Sequence, residues 1–116
     1  MKVNVIAEIG INHQGDIDHA QKLIDQLILI TKKKKIKAAI KFQFRQLKSF
    51  IHPDYKNNKE VKHIQRFEST ELKFKDYELM VAKIKDSGLI TMSTPFDEES
   101  IEIMEKLDID ILKIAS

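Results

Sequence analysis

Residues 3–16 read VNVIAEIGINHQGD, and this stretch decides how the remainder of the chain is read. An apolar, β-branched run from Val3 to Ile9 enters a loop holding Glu8, Asn12 and His13, and Asp16 then stands where a helix N-cap is wanted. The run is too apolar for a half-exposed strand and predicts one covered on both faces, as in parallel sheets. A strand that delivers polar groups at its far end and passes at once into a helix is the repeating unit of βα barrels and doubly wound sheets.

The plan recurs three times, with further strand ends at Lys41 to Gln43, Ser93 to Pro95 and Lys113 to Ser116. The first helix has its apolar stripe at Ile17, Ala20, Leu23, Ile24, Leu27 and Ile28 and is expected to end near Thr31. Residues 36–43 give the second strand, where even spacing sets Lys41 and Gln43 on one face and Ile40 and Phe42 on the other. Residues 44–70 have no clean period and predict a long connection. A second helix begins at Phe74, buries Tyr77, Met80, Val81 and Ile84, and closes on Gly88 as its C′ residue. Residues 89–93 form the third strand. Asp97, Glu98 and Glu99 open a third helix with core positions Ile101, Met104 and Leu107, and residues 109–115 form the fourth strand. Right-handed crossovers then place four parallel strands in sequence order, with the C-terminal strand ends as the place for a site.

Composition narrows the function. The 116 residues are 42% hydrophobic and 33% charged, with no apolar run near the ~18 needed to cross a bilayer. The N-terminus lacks a signal-peptide h-region, so a cytoplasmic protein without membrane contact is expected. The absence of cysteine removes disulfides, thiolate metal sites and a cysteine nucleophile. Net charge is +2, and the run Lys32 to Lys35 with Lys37 has no interleaved aromatics, so it reads as a solvated helix end and not as a nucleic-acid surface. Neither a GxGxxG nor a P-loop is present.

Lys41 and Lys113 lie in or at the end of apolar strands, where an unpaired ammonium is strongly disfavoured. Two such lysines beside hydroxyl and amide groups suit a ligand bearing phosphate and carboxylate. A lysine paired with Glu8, or lying at the strand rim, is the other reading. Glu8 itself can accept from sugar hydroxyls or move a proton, or can simply neutralise a strand lysine. His13 has no second ligand at metal spacing.

IAEIGINHQGD, joined in order to IKFQ, STPFDEES and LKIAS, resembles the sialic acid synthase family, which includes N-acetylneuraminate, legionaminate and pseudaminate synthases. The resemblance implies a TIM (β/α)8 barrel, of which this α/β chain supplies the first half, about four strands and three helices. It further implies condensation of phosphoenolpyruvate with an N-acylated amino sugar, release of phosphate, a divalent Mn2+ or Mg2+ ion held by residues beyond 116, and a homodimer. The remaining barrel strands and a C-terminal antifreeze-like domain are absent from residues 1–116. By motif, Lys41, Gln43, Thr94, Lys113 and Ser116 correspond to phosphoenolpyruvate-site residues, Glu8 to an amino-sugar contact, and Asn12 to the same substrate site. Glu8, Lys41 and Lys113 are the residues assigned to catalysis. The chain departs from the family pattern at Gln14, where asparagine is common, at Phe44 for threonine, at Lys73 for a cap serine, and at KKKKIK and Asp108 for turn glycines. Phe44 is expected to alter substrate fit.

Two other readings remain at this point. One is a noncatalytic half-barrel module; the other is a different phosphoenolpyruvate-condensing barrel such as a deoxy-heptulosonate phosphate synthase, to which EIGINH and STPFDEES fit less well.

Overall fold

The computed structural model describes residues 2–44, 69 and 71–116, and the connection expected over 44–70 falls almost wholly outside them. Strands β1 (Val5–Gly10), β2 (Ala38–Phe44), β3 (Ile90–Pro95) and β4 (Ile111–Leu112) alternate with helices α1 (Ile17–Lys34), α2 (Phe74–Asp86) and α3 (Glu98–Lys106). All strand pairs are parallel and the order is β1-β2-β3-β4, the sequence order expected.

The core lies on one face of the sheet. Alternate residues Ile40, Phe42 and Phe44 of β2 meet Ala20 and Ile24 of α1, Met80, Val81 and Ile84 of α2, and Met104 of α3 in a single apolar cluster. Phe44 lies edge-on to Tyr77 with ring centroids 4.5 Å apart and stacks on Phe42 at 6.0 Å. Phe44 therefore faces the helices, opposite to Lys41 and Gln43, and the expectation that it shapes substrate fit is corrected: period-two alternation sends it into the core.

Helices α1 to α3 all end in the same hydrogen-bonded turn. After α2, the Gly88 N–H donates to the Lys85 carbonyl and the Leu89 N–H to the Ile84 carbonyl, the two bonds of a Schellman motif, with Gly88 at φ 79°. After α1 the same bonds run from Lys35 to Lys32 and from Ile36 to Thr31, and after α3 from Asp108 to Glu105 and from Ile109 to Met104. Lys35 and Asp108 thus occupy the left-handed position, at φ 54° and 53°. Because its closing turn involves Lys35, α1 runs three residues past the expected end at Thr31.

Two further expectations are corrected. Val5 and Ile6 are 47% and 54% exposed, so among the described residues the first strand, which pairs with β2 alone, is not covered on both faces. The fourth strand pairs only at Ile111 and Leu112, not over 109–115; Met92 and Ser93 of β3 are its partners. Its start is fixed by Asp110, whose carboxylate accepts from both the N–H and the hydroxyl of buried Thr91, at 2.9 and 2.8 Å, while the Asp110 N–H donates back to the Thr91 hydroxyl. In α3, Ile101 is exposed, and the buried face runs through Ser100, Met104 and Leu107 with Ile103 beside it.

Candidate functional site

The register of the sheet builds the site. Glu8 stands beside Lys41, and Gln43 beside Thr94, so side chains from three neighbouring strands share the face that the helices leave free. A bulge between Glu8 and Gly10 inserts Ile9, which turns into the core, and leaves Glu8 on the site face. Gly10, at φ 56°, makes this possible: its missing Cβ would lie 3.6 Å from Gln43 Nε2 and 3.7 Å from Glu8 Oε1, so space is adequate but the left-handed backbone favours glycine.

Lys41 is almost buried, its side chain only 9% exposed, and its Nζ lies 2.7 Å from Glu8 Oε1. Gln43 Nε2 donates to the same oxygen at 3.4 Å. The ammonium that needed an anion therefore has one within the chain, which is the alternative kept open for Lys41 and Glu8. The pair is nevertheless not closed. An ammonium has three donors and Lys41 spends one, on Glu8; the Glu8 side chain is 42% exposed and its Oε2 has no partner among the described residues. Next to Gln43, Thr94 is 3% exposed and its hydroxyl has no hydrogen-bond partner among the described residues. Buried hydroxyls without partners are uncommon and call for an explanation, of which a missing ligand is one.

The other assigned residues sit less centrally. Asn12 is exposed and lines, with Glu8, a groove of about 450 Å³ between β1 and α1 that also includes Leu23 and Leu27. Lys113 continues the pairing of β4 by one bond, its N–H donating to the Ser93 carbonyl, which brings its backbone level with Thr94. Its side chain is exposed and Nζ bonds the Ile114 carbonyl at 3.2 Å, so the expectation of an ammonium buried in an apolar strand is corrected for Lys113, which lies just past the end of β4. Ser116 is exposed. Glu8, Lys41 and Gln43 are thus in contact, Thr94 adjoins them by register, and Lys113 and Ser116 lie at the same end of the sheet without touching them.

His13 drew little notice in the sequence, yet it is buried in the loop after β1, where its Nδ1 accepts from the Gly15 N–H at 3.0 Å and so carries no proton. It shapes the turn in which Gln14 and Gly15 take φ of 57° and 72°. A buried imidazole was not readable from the lone histidine; the adjacent Gly15 was the available signal. Among the described residues, no group of three histidine, aspartate or glutamate side chains could hold a metal ion. None of the helices described is long and apolar enough to cross a membrane.

The chain is 31% identical to an N,N'-diacetyllegionaminic acid synthase of Campylobacter jejuni over 99% of its own length and 35% of that protein's. It superposes on a solved spore coat polysaccharide biosynthesis protein E of Chromobacterium violaceum with a TM-score of 0.92 at 36% identity, covering 99% of this chain and 34% of that one. For a sialic acid synthetase structure from Leptospira borgpetersenii the TM-score is 0.73 at 27% identity, with 98% and 36% covered. The chain spans about a third of the length of these relatives, so its four strands are consistent with part of a barrel. A sequence model described as the NeuB family matches residues 27–116, more than three quarters of the chain, and with it the chain belongs to the NeuB family.

Proposed function

We propose that this chain carries the substrate-binding strand ends of a sialic-acid-type synthase, which condenses phosphoenolpyruvate with an N-acylated amino sugar to a nonulosonic acid and releases phosphate. The observation that supports it is the donor set on adjacent strands that is unspent among the described residues: two N–H bonds of Lys41 Nζ and the hydroxyl of Thr94. Donors of this kind suit the phosphate or carboxylate of an enol phosphate, and the ammonium adds charge-assisted bonds that neutral groups do not.

In this reading Glu8 has two tasks. Its Oε1 holds Lys41 and Gln43 in place, which fixes the ammonium before substrate arrives. Its open Oε2 accepts from a hydroxyl of the open-chain sugar and sets that sugar beside the enol. Lys113 and Ser116, at the same sheet end, close the phosphate side when the following chain is in place. The enol carbon attacks the sugar aldehyde, whose oxygen takes up a proton as its π bond breaks; water adds to the cationic carbon so formed and gives up a proton, and the carbon–oxygen bond to phosphate breaks to leave the keto acid, while Lys41 offsets negative charge on the phosphoenolpyruvate throughout. The divalent ion of the family finds no donor set among the described residues, and no step is assigned to it here. Homodimer formation, the rest of the barrel and an antifreeze-like domain belong to the same proposal for the longer protein.

Calorimetric titration of phosphoenolpyruvate into the full-length polypeptide tests the site. The wild type binds, and Lys41→Met weakens binding by roughly 10- to 100-fold, since a hydrogen bond to a charged group contributes about 1.5–3 kcal/mol. Equal affinity in the two proteins would make Lys41 a structural partner of Glu8 and remove the proposal's support.

A further inference from the structure

At the opposite end of the sheet, where the strands begin, a second cavity of about 620 Å³ opens between the C-terminal ends of α1 and α2. Four lysines line it, Lys2, Lys32, Lys35 and Lys37, against one carboxylate, Asp86. No ammonium of the four has a hydrogen bond or ion pair among the described residues, whereas Lys41, Lys83 and Lys85 are each paired with a carboxylate. Ile36 and Leu89 supply an apolar floor.

The bland account is that lysines at helix ends complement exposed carbonyls. Two helix C-termini carry about half a negative charge each, so together with Asp86 they offset about two of the four cations and leave about two positive charges over the cavity. The backbone adds a second observation. Lys35 occupies the left-handed closing position of α1 at φ 54°, where glycine would be unstrained, and the cation is present despite that conformational cost. A turn alone has no use for that side chain.

We infer that this cavity binds a small organic phosphate with at least two negative charges, its phosphates among Lys2, Lys32, Lys35 and Lys37 and its less polar part on Ile36 and Leu89. The volume is that of a small-molecule site, and a nucleic-acid duplex would not enter it. This site is separate from the Lys41 end and does not depend on the proposed reaction.

The test is titration of the full-length polypeptide with adenosine diphosphate and, separately, with inorganic pyrophosphate. Both bind, the nucleotide more tightly because of the apolar floor. The double variant Lys35→Gly/Lys37→Gln weakens both by about tenfold or more, at an unchanged or higher melting temperature, which the relaxed turn at residue 35 favours. Lys41→Met leaves both affinities unchanged, which separates failure here from failure of the phosphoenolpyruvate site. Absence of binding, equal binding by the double variant, loss of binding in Lys41→Met, or displacement of the nucleotide by short duplex DNA at equal phosphate concentration would each overturn the inference.

Discussion

At the level of single residues, three of the departures from the family pattern noted in the sequence share a cause. Gln14, Lys35 and Asp108 are the described non-glycine residues with positive φ, the region where asparagine and glycine are least strained. The sequence could mark these positions as unusual but could not show the backbone reason. Gln14→Asn is expected to raise stability by about 0.5 kcal/mol, by easing the left-handed turn beside His13. Asp108→Gly should gain less than Lys35→Gly, because Lys85 bonds both the carbonyl and the carboxylate of Asp108 and the substitution removes the second contact; thermal melts of the variants rank them. Lys41 shows the opposite case. Even spacing put it on the same face as Gln43, and burial of an ammonium demanded a partner, yet only the register could reveal Glu8 as that partner. Since the pair is partly open to water, its contribution to stability is about 0–1 kcal/mol. Lys41→Met should therefore leave the melting temperature nearly unchanged or slightly higher while removing the anion's partner.

Among the elements, helix starts were the most legible. Asp16 accepts from the N–H groups of Asp18 and His19, and Asp97 from that of Ser100, as N-cap aspartates should. The start of α2 differs: the Asp76 carboxylate accepts from the Lys73 N–H, but an ammonium has no lone pair with which to return the bond. Lys73→Ser completes the box and is expected to stabilise the protein by about 0.5–1 kcal/mol in a denaturant titration. Helix ends were legible where glycine marks them, as at Gly88, and hidden where Lys35 and Asp108 stand in for it. The fourth strand was over-read because an apolar run such as 109–115 gives no sign of how many of its residues find a partner. Its true anchor, Asp110 against Thr91, joins residues of adjacent strands and lacks a local signature. Asp110→Ala leaves a buried N–H and hydroxyl short of an acceptor, at a cost of about 1–3 kcal/mol, and faster amide exchange at Thr91 is the specific readout.

For the molecule as a whole, strand order was legible because parallel strands joined by helical crossovers have few topologies open to them. What packs beside β1 was not, and this strand, with exposed Val5 and Ile6 and one strand neighbour among the described residues, has an edge suited to pairing. Produced as residues 1–116 alone, the polypeptide is expected to self-associate or melt without cooperativity and to show no turnover; light scattering after size-exclusion chromatography and a thermal melt check the first, and a cooperative monomer would refute it. The central claim is that Lys41, steadied by Glu8 and next to the orphaned hydroxyl of Thr94, holds the phosphoenolpyruvate of a condensing synthase. Its most direct test is phosphate release by the full-length polypeptide, with Mn2+ present, from phosphoenolpyruvate and N-acylated hexosamines, compared with the Lys41→Met variant. The account predicts release that requires both substrates and is abolished in the variant, whereas undiminished release by Lys41→Met, or none by the wild type with any acceptor, would contradict it.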